Sequence, residues 1–297
     1  MNRKAVVAGM FYKGSFDELS KEIENCFKGK FGPGDLSVKR GKKKIFGVIA
    51  PHAGYGYSGS CAAWSYKEIA ESEFPELFVI IGVNHSGLGA EFSTYYFADW
   101  ESPFGIVKVD KDFGKKLTTN FKYLKNEAEA HMNEHSVEVQ LPFLQFANKD
   151  KIKELKFLPI VIKSYDYEKC VELGKKIAET AKEMNKKIVV IASGDLTHYG
   201  VSYGYMPFSG SKENIKKNLY ELDKEAIESV KRFDSLEFYR YVKQKRATVC
   251  GLYSIICAIE CCKKLGSKRA RLLQYYTSGD VSGDYSNAVG YGAMVFE

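Results

Sequence analysis

Four short runs of apolar and largely β-branched residues constrain the fold of this chain more than any other feature. They span residues 45–50, 77–82, 155–162 and 188–192. Near-continuous apolar runs of this length are typical of strands that are buried on both faces of a sheet. Amphipathic segments separate them, and the clearest of these, residues 167–184, has the periodicity of a helix. Strands that alternate with helices predict βαβ crossovers and a parallel sheet.

Other segments predict departures from a purely parallel sheet. Further helices are expected at residues 59–70, 213–230, 236–243 and 251–265. Strand-like runs at 92–96, 105–109, 271–277 and 288–296 lack helical crossovers, which favours a mixed sheet. No linker rich in Pro, Gly and Ser divides the 297 residues. The sequence therefore predicts an α/β protein with one domain over residues 1–297, an αβ sandwich with a mixed, largely parallel central sheet.

Charge and cysteine content favour a soluble protein of a reducing compartment. The formal net charge is +7, and seven scattered cysteines without zinc-ribbon spacing favour reduced, mostly buried thiols. No segment approaches the ~20 apolar residues of a membrane span. We therefore expect a cytoplasmic protein with neither a membrane nor a nucleic acid as partner. The basic run at residues 39–44 is interpreted as a solvated loop before a strand rather than as an anion-binding patch.

The five histidines carry the strongest functional signal. His52 follows the apolar run 45–50, His85 follows 77–82, and His198 comes soon after 188–192. In an open α/β sheet, ligands bind outside the carboxyl ends of the strands. If the three strands are parallel neighbours, their histidines converge at one edge of the sheet. Imidazole suits Zn, Cu, Fe and Ni, so the pattern predicts one shared metal site.

Two residues could supply an anionic ligand to such a site. Asp195 lies three residues before His198 on the same loop. Cys250 immediately precedes a long apolar helix, and a thiol at a helix N-terminus is expected to have a lowered pKa, which favours the metal-binding thiolate. Position in the sequence alone leaves the choice between Asp195 and Cys250 open.

Two further motifs offer alternative functions. Residues 131–135 spell H-x-x-E-H, in which His131 and His135 could bind zinc on one face of a helix with Glu134 as general base of a hydrolase. Residues 54–59 match G-x-G-x-x-G between a strand and a helix, the place of a dinucleotide fingerprint. However, Pro51, His52 and Ala53 intervene before the first glycine, so a glycine-rich turn that exposes His52 is the favoured interpretation.

Six blocks in collinear order resemble the Memo family, also called the AmmeMemoRadiSam system protein B family. The resemblance extends over essentially the whole chain. Its blocks are AGMFY at 8–12, IAPHAGY at 49–55 with YSG at 57–59 and AA at 62–63, NH at 84–85, EHSVE at 134–138 with LPF at 141–143, DLTHYG at 195–200, and TVCG at 248–251.

The resemblance implies a fold similar to class III extradiol dioxygenases, the LigB-like non-heme iron enzymes. It implies metal ligands at His52, His85 and Cys250, surrounded by three groups for acid–base or oxygen-stabilising chemistry: His135, Asp195 and His198. Iron or copper and redox chemistry are implied as well. The dioxygenases use a carboxylate as third ligand, whereas a thiolate at Cys250 shifts the preference toward Cu(I) or thiolate-ligated iron.

The resemblance also implies possible partners. In animal members the same surface is tied to binding of phosphotyrosine peptides, although the block around Phe11 often carries Trp there. In prokaryotes the family occurs with an AMMECR1-like protein and a radical-SAM protein. Three hypotheses follow: a metal-dependent oxidoreductase, a non-catalytic metal-binding or peptide-binding partner protein, and a zinc hydrolase built on Glu134 and His135. The sequence names neither the substrate, the native metal nor the oligomeric state.

Overall fold

A computed structural model describes residues 2–36 and 40–297 of the chain. Its strands are β1 (Gly47–Ala50), β2 (Leu77–Val83), β3 (Phe92–Thr94), β4 (Trp100–Ser102), β5 (Gly105–Val109), β6 (Leu124–Asn126), β7 (Lys156–Ile162), β8 (Ile188–Ser193), β9 (His198–Gly200), β10 (Ala270–Thr277) and β11 (Asn287–Phe296). Its helices are α1 (Phe16–Lys28), α2 (Tyr55–Glu71), α3 (Lys111–Asn120), α4 (Gln140–Ala147), α5 (Tyr167–Glu183), α6 (Lys212–Lys231), α7 (Ser235–Lys245), α8 (Leu252–Leu265) and α9 (Ser278–Ser282), with a 3₁₀ turn at Val201–Tyr203.

The strands form one mixed sheet with a parallel centre. Its main path runs β10-β11-β1-β8-β2-β7-β3-β6 within the described residues. The central strands β1, β8, β2 and β7 are parallel to one another, and the four apolar runs supply all of them. On the flanks, β11 is antiparallel to β1 and β10, and β3 is antiparallel to β7. The predicted α/β fold with a mixed sheet is confirmed.

The order of the central strands positions the functional residues. Strands β1, β8 and β2 are neighbours, with Ala50 opposite Ser193 and Ile81 opposite Ala192. Their carboxyl ends therefore meet at one edge of the sheet. His52 and His85 each follow a strand by two residues, on β1 and β2 respectively. This edge is where ligands bind in open α/β sheets.

The glycine-rich segment after β1 is the start of a helix and not a phosphate-binding loop. We expected a helix from residue 59, but α2 begins at Tyr55 with Gly54 as its N-cap. A Cβ on Gly59 would lie 2.4 Å from Sγ of Cys26 on α1. Gly59 is thus required where the two helices pack closely, which explains this glycine without a nucleotide.

A buried carboxylate holds the N-terminal segment against the body of the protein. Glu138 is fully buried and pairs with the equally buried guanidinium of Arg3. It also accepts hydrogen bonds from the backbone N–H groups of Val6 and Val7 and, at 2.7 Å, from the hydroxyl of Tyr12. The segment that Glu138 fixes carries the aromatic residue that lines the functional site described below.

The basic run before β1 is engaged in ion pairs on the surface. Lys39 lies outside the described residues. Arg40 pairs with Asp150, and Nζ of Lys43 lies 2.7 Å from Glu68 and 2.8 Å from Glu297. Across the part of the chain that the structure describes, no helix combines the length and apolar character needed to cross a membrane.

Candidate metal centre

His52 lies at the base of the candidate metal site, and a serine is hydrogen-bonded to its ring. The imidazole is only 2% exposed, and its Nδ1 lies 3.1 Å from the hydroxyl oxygen of Ser193, the last residue of β8. Burial lowers the pKa of His52 well below its ordinary value, and the neighbouring His85 and His135 lower it further. The ring is therefore neutral, which is the form of histidine that binds metal.

The hydrogen-bond network around Ser193 assigns the tautomer of His52. The Ser193 hydroxyl donates its one proton to the carbonyl of Ser136 at 2.5 Å and accepts a bond from the Gln140 amide at 2.8 Å. The Gln140 amide is oriented in turn, because its oxygen accepts the hydroxyl of Tyr66 at 2.7 Å. Ser193 can only accept from His52, so Nδ1 carries the proton and Nε2 keeps a free lone pair.

Replacing Ser193 with Ala should release this tautomer and lower metal affinity about tenfold, at the lower end of the effect of outer partners on metal ligands. The tautomer can be measured through the ¹⁵N shifts of the His52 ring in labelled protein, and the affinity by competition with a chelator. Ser65→Ala is a matched control, because Ser65 is equally buried but donates to the carbonyl of Ile49. Unchanged ring shifts in Ser193→Ala would contradict the assignment.

A single carboxylate orients the next two histidines. Glu134 is 1% exposed, and its Oε1 lies 3.0 Å from Nδ1 of His85 and 3.4 Å from Nδ1 of His135. Its oxygens also accept the backbone N–H groups of His85 and Ser136. Burial alone would raise the pKa of Glu134, but the hydrogen bond and charge of His85 outweigh it and lower the pKa to about 2. A carboxylate behind a histidine fixes the ring and raises its basicity as a ligand.

His85 and His135 stack on each other and lie beside His52. Their ring centroids are 4.6 Å apart with planes inclined by 18°, and the centroid of His52 lies 5.1 Å from His85 and 5.4 Å from His135. Burial lowers the pKa of His135 to about 4, although the nearby Glu134 opposes this. His135 also packs on the ring of Phe11, with 4.6 Å between centroids. The N-terminal segment therefore contributes directly to the site.

Cys250 and Asp195 lie on the other side of His52. Sγ of Cys250 is 3.2 Å from Nε2 of His52 and accepts the backbone N–H of Asp195 at 3.3 Å. The loops that carry them touch through two glycines. A Cβ on Gly194 would lie 2.2 Å from Cα of Gly251, and one on Gly251 would lie 2.8 Å from Cα of Gly194. This close backbone approach brings the thiol to Asp195.

The expectation that a helix N-terminus lowers the pKa of Cys250 is wrong. Burial raises the pKa of Cys250 well above its ordinary value, and the charge of Asp195 raises it further. Cys250 precedes Gly251, the N-cap of α8, so it lies outside the first turn. A metal ion bound at the thiol would itself deprotonate it, so the raised pKa does not argue against Cys250 as a ligand.

His198 and Asp195 line the same site, but they do not belong to a common group of three possible metal ligands. Nδ1 of His198 lies 3.0 Å from the carbonyl of Leu196 and 2.9 Å from that of Thr248, so Nδ1 is the donor and Nε2 is free. Its ring packs edge-on against Tyr203. Asp195 accepts the backbone N–H of His52 at 2.8 Å, and burial raises its pKa.

Two groups of donors meet at His52. In one, the ligand atoms of His52, His85 and His135 all lie within 4.8 Å of one another, and in the other those of His52, Asp195 and Cys250 do. The ligand set expected from the sequence combines the two groups. His52 belongs to both groups, His85 to the first and Cys250 to the second. Imidazoles next to a thiol and a carboxylate are a donor set that fits iron, copper or zinc.

The donors open into a cleft of about 560 Å³. Phe11, Tyr57 and Tyr203 supply aromatic walls, and Ser278, Asp284 and Asn287 supply polar groups. A concave site with a few convergent polar groups is the usual form of a small-molecule site.

The H-x-x-E-H motif does not form the helix that a zincin site requires. Residues 131–135 are turn and irregular, and α4 begins only at Gln140, with Pro142 tolerated in its first turn. His131 is fully buried against Trp100, and it belongs to neither donor group. The zinc-hydrolase hypothesis in this form is wrong.

The sequence pattern does not predict the residues that orient the histidine rings. Ser193 and Gln140 received no role, and Glu134 was considered only as a hydrolytic base. A signal was available for Glu134, which immediately precedes His135 in a block of the family resemblance. For Ser193 and Gln140 the contact joins residues 53 positions apart, which no local pattern indicates.

The chain is similar to known proteins in family, in sequence and in structure. The family model described as Memo-like protein matches residues 3–295. A MEMO1 family protein of Nitrosopumilus maritimus is 41% identical over 100% of both chains, and one of Methanopyrus kandleri is 39% identical over 100% of this chain and 99% of its own. The crystal structure of an uncharacterized protein from Escherichia coli K12 matches with a TM-score of 0.53 at 12% identity, covering 86% of this chain and 100% of that one. This last likeness concerns the fold alone.

Proposed function

This chain belongs to the Memo family, and from that premise we propose that it is a mononuclear iron or copper protein with redox activity. The observation that carries the proposal is the meeting of two donor groups at His52, at the base of an open cleft. His52, His85 and Cys250 are the proposed ligands. A bound iron or copper ion would supply one-electron or oxygen chemistry to a small molecule in the cleft.

The remaining polar residues have proposed roles that their contacts support. His198 carries a free Nε2 with its Nδ1 fixed by two carbonyl oxygens, which suits transfer of a proton to or from a substrate. Asp195 holds the backbone of His52 and the thiol loop together. Phe11 and Tyr203 flank the histidines and would exclude water from a bound substrate.

Anaerobic metal analysis of the purified protein tests this function. We expect about one iron or copper ion per chain in the native protein, and little metal in His52→Ala, because His52 belongs to both donor groups. His131→Ala is a suitable control, since it removes a histidine outside both groups, and circular dichroism would verify that each variant is folded. Equal metal content in His52→Ala and native protein would refute the proposed centre.

Oxygen uptake would separate an enzyme from a metal-binding partner protein. The metal-loaded protein should consume O₂ with a reduced aromatic or thiol substrate, and His198→Gln should slow this without removing the metal. The exposed aromatic rim, in which Tyr57 is 50% exposed, favours peptide docking as the second candidate function. In that case, an AMMECR1-like or radical-SAM protein is the proposed partner. None of the reduced aromatic or thiol substrates tested would then support O₂ consumption.

A further inference from the structure

The two donor groups at His52 differ in chemical character. One consists of three imidazoles, from His52, His85 and His135. The other combines the same His52 with a carboxylate and a thiol. Soft thiolates select Cu(I), zinc and Fe–S clusters, whereas imidazoles suit zinc, copper, iron and nickel. A metal ion bound to Nε2 of His52 can complete its ligands from one group or from the other.

We propose that the site contains a second metal position, formed by His52, His85 and His135, which borderline divalent ions occupy in place of the position that includes Cys250. The inference rests on the proposed metal centre and adds to it a ligand role for His135. Because His52 and His85 are shared with the proposed ligand set, the two positions are alternatives, and the chain binds one ion at a time. The softness of the ion decides which position is used.

The all-histidine position is organised before any metal binds. Oε1 of Glu134 is hydrogen-bonded to Nδ1 of His85 at 3.0 Å, which leaves Nε2 of His85 as the ligand atom, and the same oxygen lies 3.4 Å from Nδ1 of His135. The two rings stack at 4.6 Å, and Phe11 supports the outer face of His135. His52 is fixed in the matching tautomer by Ser193. Three imidazoles are thus held in place by contacts within the protein.

The thiol lies on the side of His52 toward the loop of Asp195 and is not part of this group. Sγ of Cys250 lies 3.2 Å from Nε2 of His52, and its other contacts are the backbone N–H and carbonyl of Asp195. No group of three donors within 4.8 Å joins Cys250 to His85 or His135 among residues 2–36 and 40–297. Cys250 and His135 therefore belong to different donor groups.

Anaerobic titration with Co²⁺ tests the proposal, because cobalt reports its ligands in its absorption spectrum. We expect visible d–d bands without a near-ultraviolet sulfur-to-cobalt charge-transfer band, and the same spectrum in Cys250→Ser. His135→Ala and His135→Gln should each weaken Co²⁺ binding at least about 100-fold, since loss of an outer partner alone costs 10–100-fold. Cu(I) should show the opposite dependence, with affinity lost in Cys250→Ser and retained in the His135 variants.

Stoichiometry gives an independent measurement. Cu(I) added to the cobalt-loaded protein should displace Co²⁺, and the sum of the two metals should stay at about one per chain. A charge-transfer band that disappears in Cys250→Ser, or Co²⁺ affinity unchanged in both His135 variants, would overturn the second position while leaving the metal centre intact. Failure of both metals to bind the native protein would instead refute the proposed function.

Discussion

Glu138→Gln should lower the free energy of unfolding by about 3–5 kcal/mol, the usual cost of breaking a buried ion pair from one side. The substitution leaves the guanidinium of Arg3 buried without its counter-charge, in a site where the two side chains are 4% and 0% exposed. It also places an amide N–H₂ group beside the donating N–H groups of Val6 and Val7. Urea unfolding followed by circular dichroism measures the loss.

The same substitution on the surface provides the comparison. Glu154 pairs with Lys151 at 2.9 Å, but the side chains are 61% and 40% exposed, so Glu154→Gln should change stability by less than about 0.5 kcal/mol. Equal effects of the two substitutions would show that the buried pair is not the anchor of the N-terminal segment. Because that segment carries Phe11, the packing of His135 should loosen in Glu138→Gln even where the protein remains folded.

Glu134→Gln should reduce metal affinity by about 10–100-fold, because one carboxylate orients two histidines. The neutral amide cannot accept from Nδ1 of His85 with the strength of a carboxylate, and its N–H₂ group would face the N–H groups that Glu134 now accepts. Chelator competition with Co²⁺ and with Cu(I) measures the affinity.

The pattern of loss is as informative as its size. The two metal positions share His52 and His85, and only the all-histidine position adds His135, so we expect the larger loss for Co²⁺. Glu260→Gln is the control, because Glu260 lies on α8 and accepts its hydrogen bond from Ser235. Full affinity in Glu134→Gln would mean that the rings are held by packing, and that the carboxylate has no role in ligand orientation.

The sheet could be predicted from sequence because its central strands are runs of apolar and largely β-branched residues. Four apolar runs supplied four adjacent parallel strands, and the convergence of His52 and His85 followed from the rule that ligands lie at carboxyl ends. The sequence predicts the start of helix α2 four residues too late. Glycines normally weaken a helix, and Gly54, Gly56 and Gly59 lie at or near its beginning.

The finer parts of the site depend on contacts between distant segments. The orientation of His52 depends on Ser193, 141 positions away, and on Gln140 behind it. The protonation of Cys250 was predicted with the wrong sign, since proximity to a helix is visible in sequence whereas burial beside Asp195 is not. The ligand assignment of His52, His85 and Cys250 remains a prediction.

The contact between Gly194 and Gly251 has a consequence for how this site can diversify. Neither position has room for a methyl group, so one substitution must be accompanied by a rebuilt loop at the other. Libraries designed to alter the metal or substrate preference of this scaffold should therefore keep both glycines fixed and vary Phe11, Tyr57 and Tyr203 at the rim. In a homologue, a side chain at either position would indicate that the thiol and the carboxylate no longer lie close together. The metal site would then lack its thiol-containing group of ligands.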